Sequence, residues 1–392
     1  MSNFRAILFA GISRFWSVCK QLVWLVATES VFIYRSIFHL RKGNILLLKT
    51  WDDHLGDIIL ILGTLPVYRK LFPDVKLHLA LPDPYCDWLS DQVPVNEVIP
   101  LSRFCTKKGR QVGVRNAGLY EQIIILRRNP QYRDLQLFRS FRAKSCAGIA
   151  GDALLMSLDH DKIYKNFLSI GVALPASGFP MHELAAQFML LKALGAELEG
   201  ENELNPPIPR DKYVASAVRT YIGKTSIPVM VFAPCGSHSV RDWNPDKHTK
   251  LFASLPPMHY VVVGGKRDEA YIEKIKFPGN GSRVLNLIGK TTLREFTEWI
   301  RIADVVLTAE SGGFHLAVSL RRPVLCIAGG GHWGRFVPWG DPSITKVLTY
   351  ELPCFFCSWK CVRPTVDCIQ GVSVEEVQQA IVELLSSQVC EK

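Results

Sequence analysis

The chain has 392 residues, 48% of them hydrophobic and 21% charged, a balance that belongs to packed globular proteins and excludes disorder over most of its length. Forty-six Lys and Arg against 36 Asp and Glu give a formal charge of +10. Nucleic acid, anionic membrane and phosphorylated small molecules all suit that charge, but the basic residues are spread out and no nucleic-acid motif accompanies them.

Residues 1–42 are rich in Phe, Trp, Ile, Leu and Val, yet Arg5, Arg14, Lys20, Glu29 and Arg35 interrupt them. No apolar run reaches the roughly 18 to 20 residues of a spanning helix. The segment reads as an amphipathic helical extension lying on an anionic membrane surface, or as one docked on the protein itself. Eleven cysteines without a cleavable signal peptide indicate a reducing compartment, the cytosol by default.

From Asn44 a βα series begins. Ile45–Leu48 is an apolar strand, Lys49–Gly56 a loop, and Asp57–Phe72 an apolar helix. Further strands are expected at Val75–Leu81, Val98–Leu101 and Tyr120–Leu126. The stretch Cys146–Ser177 reads as less regular, and Met181–Leu194 as a helix ending at Gly195. The polar, proline-bearing Glu199–Pro209 then breaks the pattern. A second series places strands at Val229–Ala233, Tyr260–Val263, Val284–Leu287, Val305–Thr308 and Val324–Ala328. The expected organisation is an N-terminal extension at 1–42, a Rossmann-like domain at 43–200, a linker at 201–212 and a second Rossmann-like domain at 213–392. This is an α/β architecture of two doubly wound domains facing a cleft.

Within the second domain, Ala309-Glu310-Ser311-Gly312-Gly313-Phe314-His315 follows an apolar strand and opens a helix. The free N–H groups of such a helix favour an anion, usually phosphate. Gly312 and Gly313 are read as letting backbone approach a ligand, and Glu310 as taking a ribose or sugar hydroxyl. The plainer alternative is an N-cap at Ser311 with ordinary loop glycines. Further on, Cys354, Cys357, Cys361 and Cys368 put four thiols within 15 residues. That spacing suits a structural Zn or Fe site, against cysteines packed as apolar groups or paired in disulfides.

Taken in order, these segments resemble glycosyltransferase family 9, the lipopolysaccharide heptosyltransferases of GT-B fold, from about Asn44 to Ile381. The resemblance is carried by Leu55-Gly56-Asp57-Ile58, by Val231–Ser237 followed by Arg241-Asp242-Trp243, by Val263-Gly264-Gly265 with Glu269, by Asn286–Thr291, and by the Glu310 turn with His315. That turn is usually Asp-Thr-Gly in the family, and Glu310 moves the carboxylate out by one methylene.

The resemblance implies an inverting transfer of a heptose or related sugar from a nucleotide sugar, ADP-heptose first, to lipopolysaccharide or another lipid-linked surface glycan. The setting would be the inner face of the cytoplasmic membrane, with the protein peripheral, no nucleic acid as partner and no catalytic metal. Asp57 becomes the base that deprotonates the acceptor, with Asp52 and Asp53 as alternatives and helix N-terminal charge complementation as the plainer role. Arg241 faces the leaving diphosphate, or forms a surface ion pair. Gly236, Ser237, Ser311, Gly312 and Gly313 add backbone donors. Glu269 holds the ribose, with Asp268 as the alternative carboxylate, and Glu310 and His315 complete the donor site.

Family members often carry a cysteine-rich segment at the place of Cys354–Cys368, and one branch that glycosylates autotransporter proteins uses iron there. Two other readings therefore stand beside the first. One is a protein O-heptosyltransferase with metal-bound cysteines. The other is a non-catalytic nucleotide-sugar-binding scaffold, with Glu310 marking lost activity.

Overall fold

A computed structural model describes residues 44–50, 54–90, 92–108, 111–114, 119–128, 134, 137–138, 141–149, 168–174, 181–223 and 227–387. The extension at 1–42 and the alternative bases Asp52 and Asp53 lie outside the described residues.

The chain divides into two compact units. The first takes in the described residues among 44–50, 72–83 and 95–174, and is built on a parallel sheet of six strands: β1 (Asn44–Leu48), β2 (Lys76–Leu81), β3 (Glu97–Pro100), β6 (Leu119–Ile125), β7 (Arg142–Ile149) and β8 (Ile170–Val172). Their order is β3-β2-β1-β6-β7-β8, so the winding reverses between β1 and β6 as in doubly wound folds. β4 (Cys105–Lys108) and β5 (Gln111–Val114) form a separate antiparallel hairpin. Leu46, Leu48, Ile123, Ile125, Phe138, Phe141 and Cys146 are among the core residues. The runs Ile45–Leu48 and Ile123–Leu126 are continuously apolar because both faces of a parallel sheet are covered.

The second unit comprises residues 52–71, 84–94 and 176–392. Its parallel sheet has the order β11-β10-β9-β12-β13-β14, from β9 (Val229–Ala233), β10 (His259–Val262), β11 (Arg283–Asn286), β12 (Val305–Ala309), β13 (Val324–Ile327) and β14 (Thr345–Leu348). Around it lie α1 (Leu55–Leu62), α2 (Leu65–Leu71), α3 (Glu183–Ala193), α4 (Lys212–Ile222), α5 (Pro245–Ser254), α6 (Leu293–Ile302), α7 (Gly312–Ser319) and α8 (Val374–Ser387). Helix α1 follows the first strand in sequence but packs in the second unit, against α7.

Two expectations are corrected. The helix foreseen over Asp57–Phe72 is two helices, separated at Gly63, where a Cβ would come within 2.7 Å of the Leu204 carbonyl oxygen. The stretch foreseen as irregular after Cys146 carries the end of β7 and all of β8. β7 reads Arg-Ala-Lys-Ser-Cys-Ala-Gly-Ile, whose small residues hide a strand signal that rests on large β-branched side chains. Among the described residues no helix is long and apolar enough to cross a membrane.

Candidate functional site

The site grows from the ends of β9 and β12. After β9 the chain turns through Cys235, Gly236 and Ser237 and is pinned by Trp243, 1% exposed, whose indole N–H donates to the Val372 carbonyl at 3.1 Å. Asp242 accepts the Gly236 N–H at 3.0 Å, and Arg267 donates to the carbonyls of Gly236 and Ser237, each at 3.0 Å. Burial raises the Asp242 carboxyl to about 6, against the opposing pull of the Gly236 N–H. A Cβ at Gly236 would sit 2.9 Å from the Arg241 Cβ, so this glycine clears space for the arginine stem. The Arg241 guanidinium then reaches the Glu310 carbonyl at 3.2 Å and the Glu310 carboxylate at 3.6 Å, and lies 4.9 Å over the Trp359 ring.

Glu310 closes β12 and is 2% exposed. Neither carboxylate oxygen has a hydrogen bond. Burial pushes its pKa up to about 7, with Arg241 and Arg335 pulling the other way. Ser311 caps α7, its hydroxyl accepting the Gly313 N–H at 3.3 Å and lying 3.1 Å from the Thr308 hydroxyl.

Helix α1 brings its own N-terminus to the same place. Leu55 meets Gly312, and Gly56 meets the His315 ring, where a Cβ would be 2.5 Å from Cδ2. Asp57 takes the third helical position, and its Oδ2 accepts the His54 N–H at 3.2 Å. His315 is 3% exposed and accepts the Trp339 indole N–H on Nδ1 at 2.9 Å, which leaves its proton on Nε2. Burial drives its pKa down to about 3, helped by His182 and Arg241. Two helix N-termini, Arg241 and a buried carboxylate thus converge in one compact unit. By its chemistry such an arrangement can receive an anion on the cationic side and hydroxyl groups at Glu310.

Residues 174–361 match the family model described as glycosyltransferase family 9 (heptosyltransferase). Over that stretch the chain is similar to glycosyltransferase family 9. A lipooligosaccharide heptosyltransferase 2 of Campylobacter jejuni is 22% identical over 151 residues, which are 37% of this chain and 48% of that relative. The chain therefore spans about half the length of that curated relative. The structure of the E. coli ADP-heptose lps heptosyltransferase II superposes with a TM-score of 0.64 at 16% identity, over 88% of this chain and 99% of the other. The iron-containing dodecameric glycosyltransferase TibC of enterotoxigenic E. coli gives 0.51 at 16% identity, over 90% and 78%. At those identities the two structures speak for the fold, which is the expected α/β GT-B class.

Set against this family's pattern, several glycines change meaning. Gly312 and Gly313 serve packing: a Cβ on Gly312 would strike the Leu55 side chain at 2.6 Å, and one on Gly313 would crowd the Thr308 hydroxyl at 3.2 Å. They let α1, α7 and β12 pack. The Gly236 N–H is committed to Asp242, which leaves Ser237, whose buried hydroxyl has no hydrogen bond, as the polar group of that loop. Of the adjacent carboxylates, Glu269 is exposed, whereas Asp268 turns back to accept the Gly265 N–H at 2.8 Å.

Cys354, Cys357, Cys361 and Cys368 are free thiols. Cys368 is buried beside the Gly330 N–H and within electrostatic reach of Cys357, Cys361 and Cys354, while Cys354 faces Arg363 and the exposed Cys361 approaches the Thr365 carbonyl at 3.9 Å. Among the described residues no group of three or more His, Cys, Asp or Glu side chains is gathered for a metal.

Sequence reasoning missed His54, His238, Arg335, Trp339 and Trp359. His54 and His238 meet edge-on at 6.5 Å, and the electrostatic field at His54 comes from Asp57, Arg241, His238 and Arg267 together. The one available signal was the aromatic density of Gly331-His332-Trp333-Gly334-Arg335-Phe336 and Phe355-Phe356-Cys357-Ser358-Trp359.

Proposed function

We propose that this chain is an inverting glycosyltransferase that moves a heptose or related sugar from a nucleoside diphosphate sugar, ADP-heptose first, to a hydroxyl of a lipid-linked surface glycan. The observation that carries this reading is the convergence of the α1 and α7 N-termini, which puts the carboxylate of Asp57 and the guanidinium of Arg241 on one surface. Asp57 Oδ2 is held by the His54 N–H, and Oδ1 is left to take the acceptor proton. As the acceptor oxygen bonds to the anomeric carbon, the bond to the diphosphate breaks. The charge that leaves is met by Arg241 and by the helix N-terminus at Ser311. Glu310, buried without hydrogen bonds, accepts sugar hydroxyls that would satisfy both its oxygens. No step runs through the cysteines. Residues 1–42, rich in aromatic and basic side chains, bring the protein to the membrane face.

Calorimetric titration with ADP, UDP, GDP and CDP tests the donor half, with ADP expected to bind best and Arg241→Ala to weaken it. Asp57→Asn is expected to lower turnover by about a hundredfold or more while nucleotide affinity stays near that of the parent protein. Turnover unchanged in Asp57→Asn removes it as base, and absence of binding by every nucleotide favours a scaffold. Deletion of residues 1–42 is expected to abolish sedimentation with anionic liposomes.

A further inference from the structure

The segment bearing Cys354, Cys357 and Cys361 is seated on the glycine run that follows β13. Phe356 donates its N–H to the Gly330 carbonyl at 2.8 Å, and Ser358 to the Gly331 carbonyl at 3.0 Å. The glycines are needed for this contact. A Cβ on Gly329 would lie 2.8 Å from the Trp359 ring, one on Gly331 would lie 2.5 Å from it, and one on Gly330 would run into Phe355. Phe356, Ser358 and Trp359 adopt φ of 68°, 49° and 61°, a left-handed conformation that non-glycine residues hold only when surrounding contacts enforce it.

What this bent loop delivers is one side chain. The Trp359 indole N–H donates to His332 Nδ1 at 3.2 Å, and the two rings meet edge-on at 82°. The face of the same ring carries the Arg241 guanidinium. His332 is within electrostatic reach of Arg335, Arg241 and Asp57.

We propose that Trp359 is a positioning residue of the diphosphate site: its N–H locks His332 with the proton on Nε2, its ring face holds Arg241, and His332 Nε2–H thereby becomes a donor to the departing diphosphate. This rests on the nucleotide-sugar reading above. Nδ1 is occupied by the indole, so the ring cannot take a second proton there, and burial with Arg335 and Arg241 pushes its pKa down to about 4. A neutral donor held in place contributes most where charge grows as the bond breaks. Arg241 gains a preset direction from a cation–π contact at a partly buried aromatic face. The cysteine loop is thus a wall of the donor site rather than a distant appendage.

The test separates the two contacts. Trp359→Phe keeps the ring face and removes the N–H, and Trp359→Leu removes both. Nitrogen-15 spectra of the ligand-free protein are expected to show His332 as one Nε2–H tautomer in the parent and as a mixture in Trp359→Phe. ADP affinity is expected to fall about tenfold in Trp359→Phe, equal to about 1.4 kcal/mol, and about tenfold more in Trp359→Leu. In a double-mutant cycle, His332→Ala is expected to add little to Trp359→Phe, whereas a merely structural tryptophan would give additive losses. Parental affinity in Trp359→Phe with an unchanged tautomer overturns the proposal. If the parent protein binds no nucleotide, the glycosyltransferase reading falls instead, and the tautomer spectra still decide the indole–imidazole pairing.

Discussion

Glu310 combines two properties that conflict in the free protein. Its carboxyl is buried without a hydrogen bond, and its pKa stands near 7 rather than at the ordinary 4.5. Because the folded value lies above the unfolded one, the folded chain takes up the proton first. The stabilisation is complete below about 4.5 and is lost as pH rises through about 7. At pH 8 the ionised group therefore destabilises the free protein, and under the proposed function sugar hydroxyls that satisfy it would recover that loss. Glu310→Gln is expected to raise the melting temperature at pH 8 by several degrees, to leave it nearly unchanged at pH 5, and to weaken the nucleotide sugar more than the bare nucleotide. Melting curves at both pH values and paired titrations check this. A melting temperature that responds equally at pH 5 and pH 8 would mean that the buried charge is not the cause.

At the scale of elements, the coupling of α1 to α7 depends on a missing side chain. A Cβ at Gly312 would overlap Leu55 at 2.6 to 2.7 Å, so Gly312→Ala must push the two N-termini apart. A loss of about 1–3 kcal/mol is expected from such overpacking, together with lower turnover, since Asp57 rides on α1. Leu55→Ala in the same chain is expected to restore much of both, and failure of that rescue would place the damage elsewhere than in this contact.

The same elements show what the sequence made readable. All nine proposed strands lie within one residue of their observed limits at both ends, because parallel strands covered on both faces read as apolar runs. Four of them, Val98–Leu101, Tyr120–Leu126, Tyr260–Val263 and Val284–Leu287, are displaced by one residue. β14, Thr-Lys-Val-Leu, and β8, of three residues, are too short and mixed to give that signal. The need for a glycine at the Gly63 break was hidden because the Leu204 backbone that crowds it is distant in sequence. In the site, Asp57, Arg241, Glu310 and His315 were readable as motif positions. Trp359 was not, because its partners His332 and Arg241 lie on other loops and its own neighbours, four cysteines, point to metal chemistry instead.

Among the described residues, buried histidines kept neutral oppose the stabilisation that acid gives through the raised carboxyls of Glu310 and Asp242. His248 is 2% exposed, has no hydrogen bond on either ring nitrogen, and sits against Phe232, Trp243, Phe252 and Tyr271. Burial drives it to about 3, as it does His315, and takes His332 to about 4. Each folded value lies below the ordinary 6.5, so below that pH the unfolded chain binds protons that the folded chain refuses. Each such group costs about 1.4 kcal/mol per pH unit between 6.5 and its folded value. All three belong to the second unit, whereas in the first His78, half-buried, is shifted in the same direction. Scanning calorimetry from pH 7 to pH 5 is therefore expected to lower the transition of the second unit first, and under the proposed function bound ADP would raise that same transition. His248→Phe removes two unpaired ring nitrogens from an aromatic cluster and is expected to reduce the acid sensitivity by about one third of the three-histidine slope. An unchanged slope in His248→Phe would show that the acid response arises from groups other than these buried imidazoles.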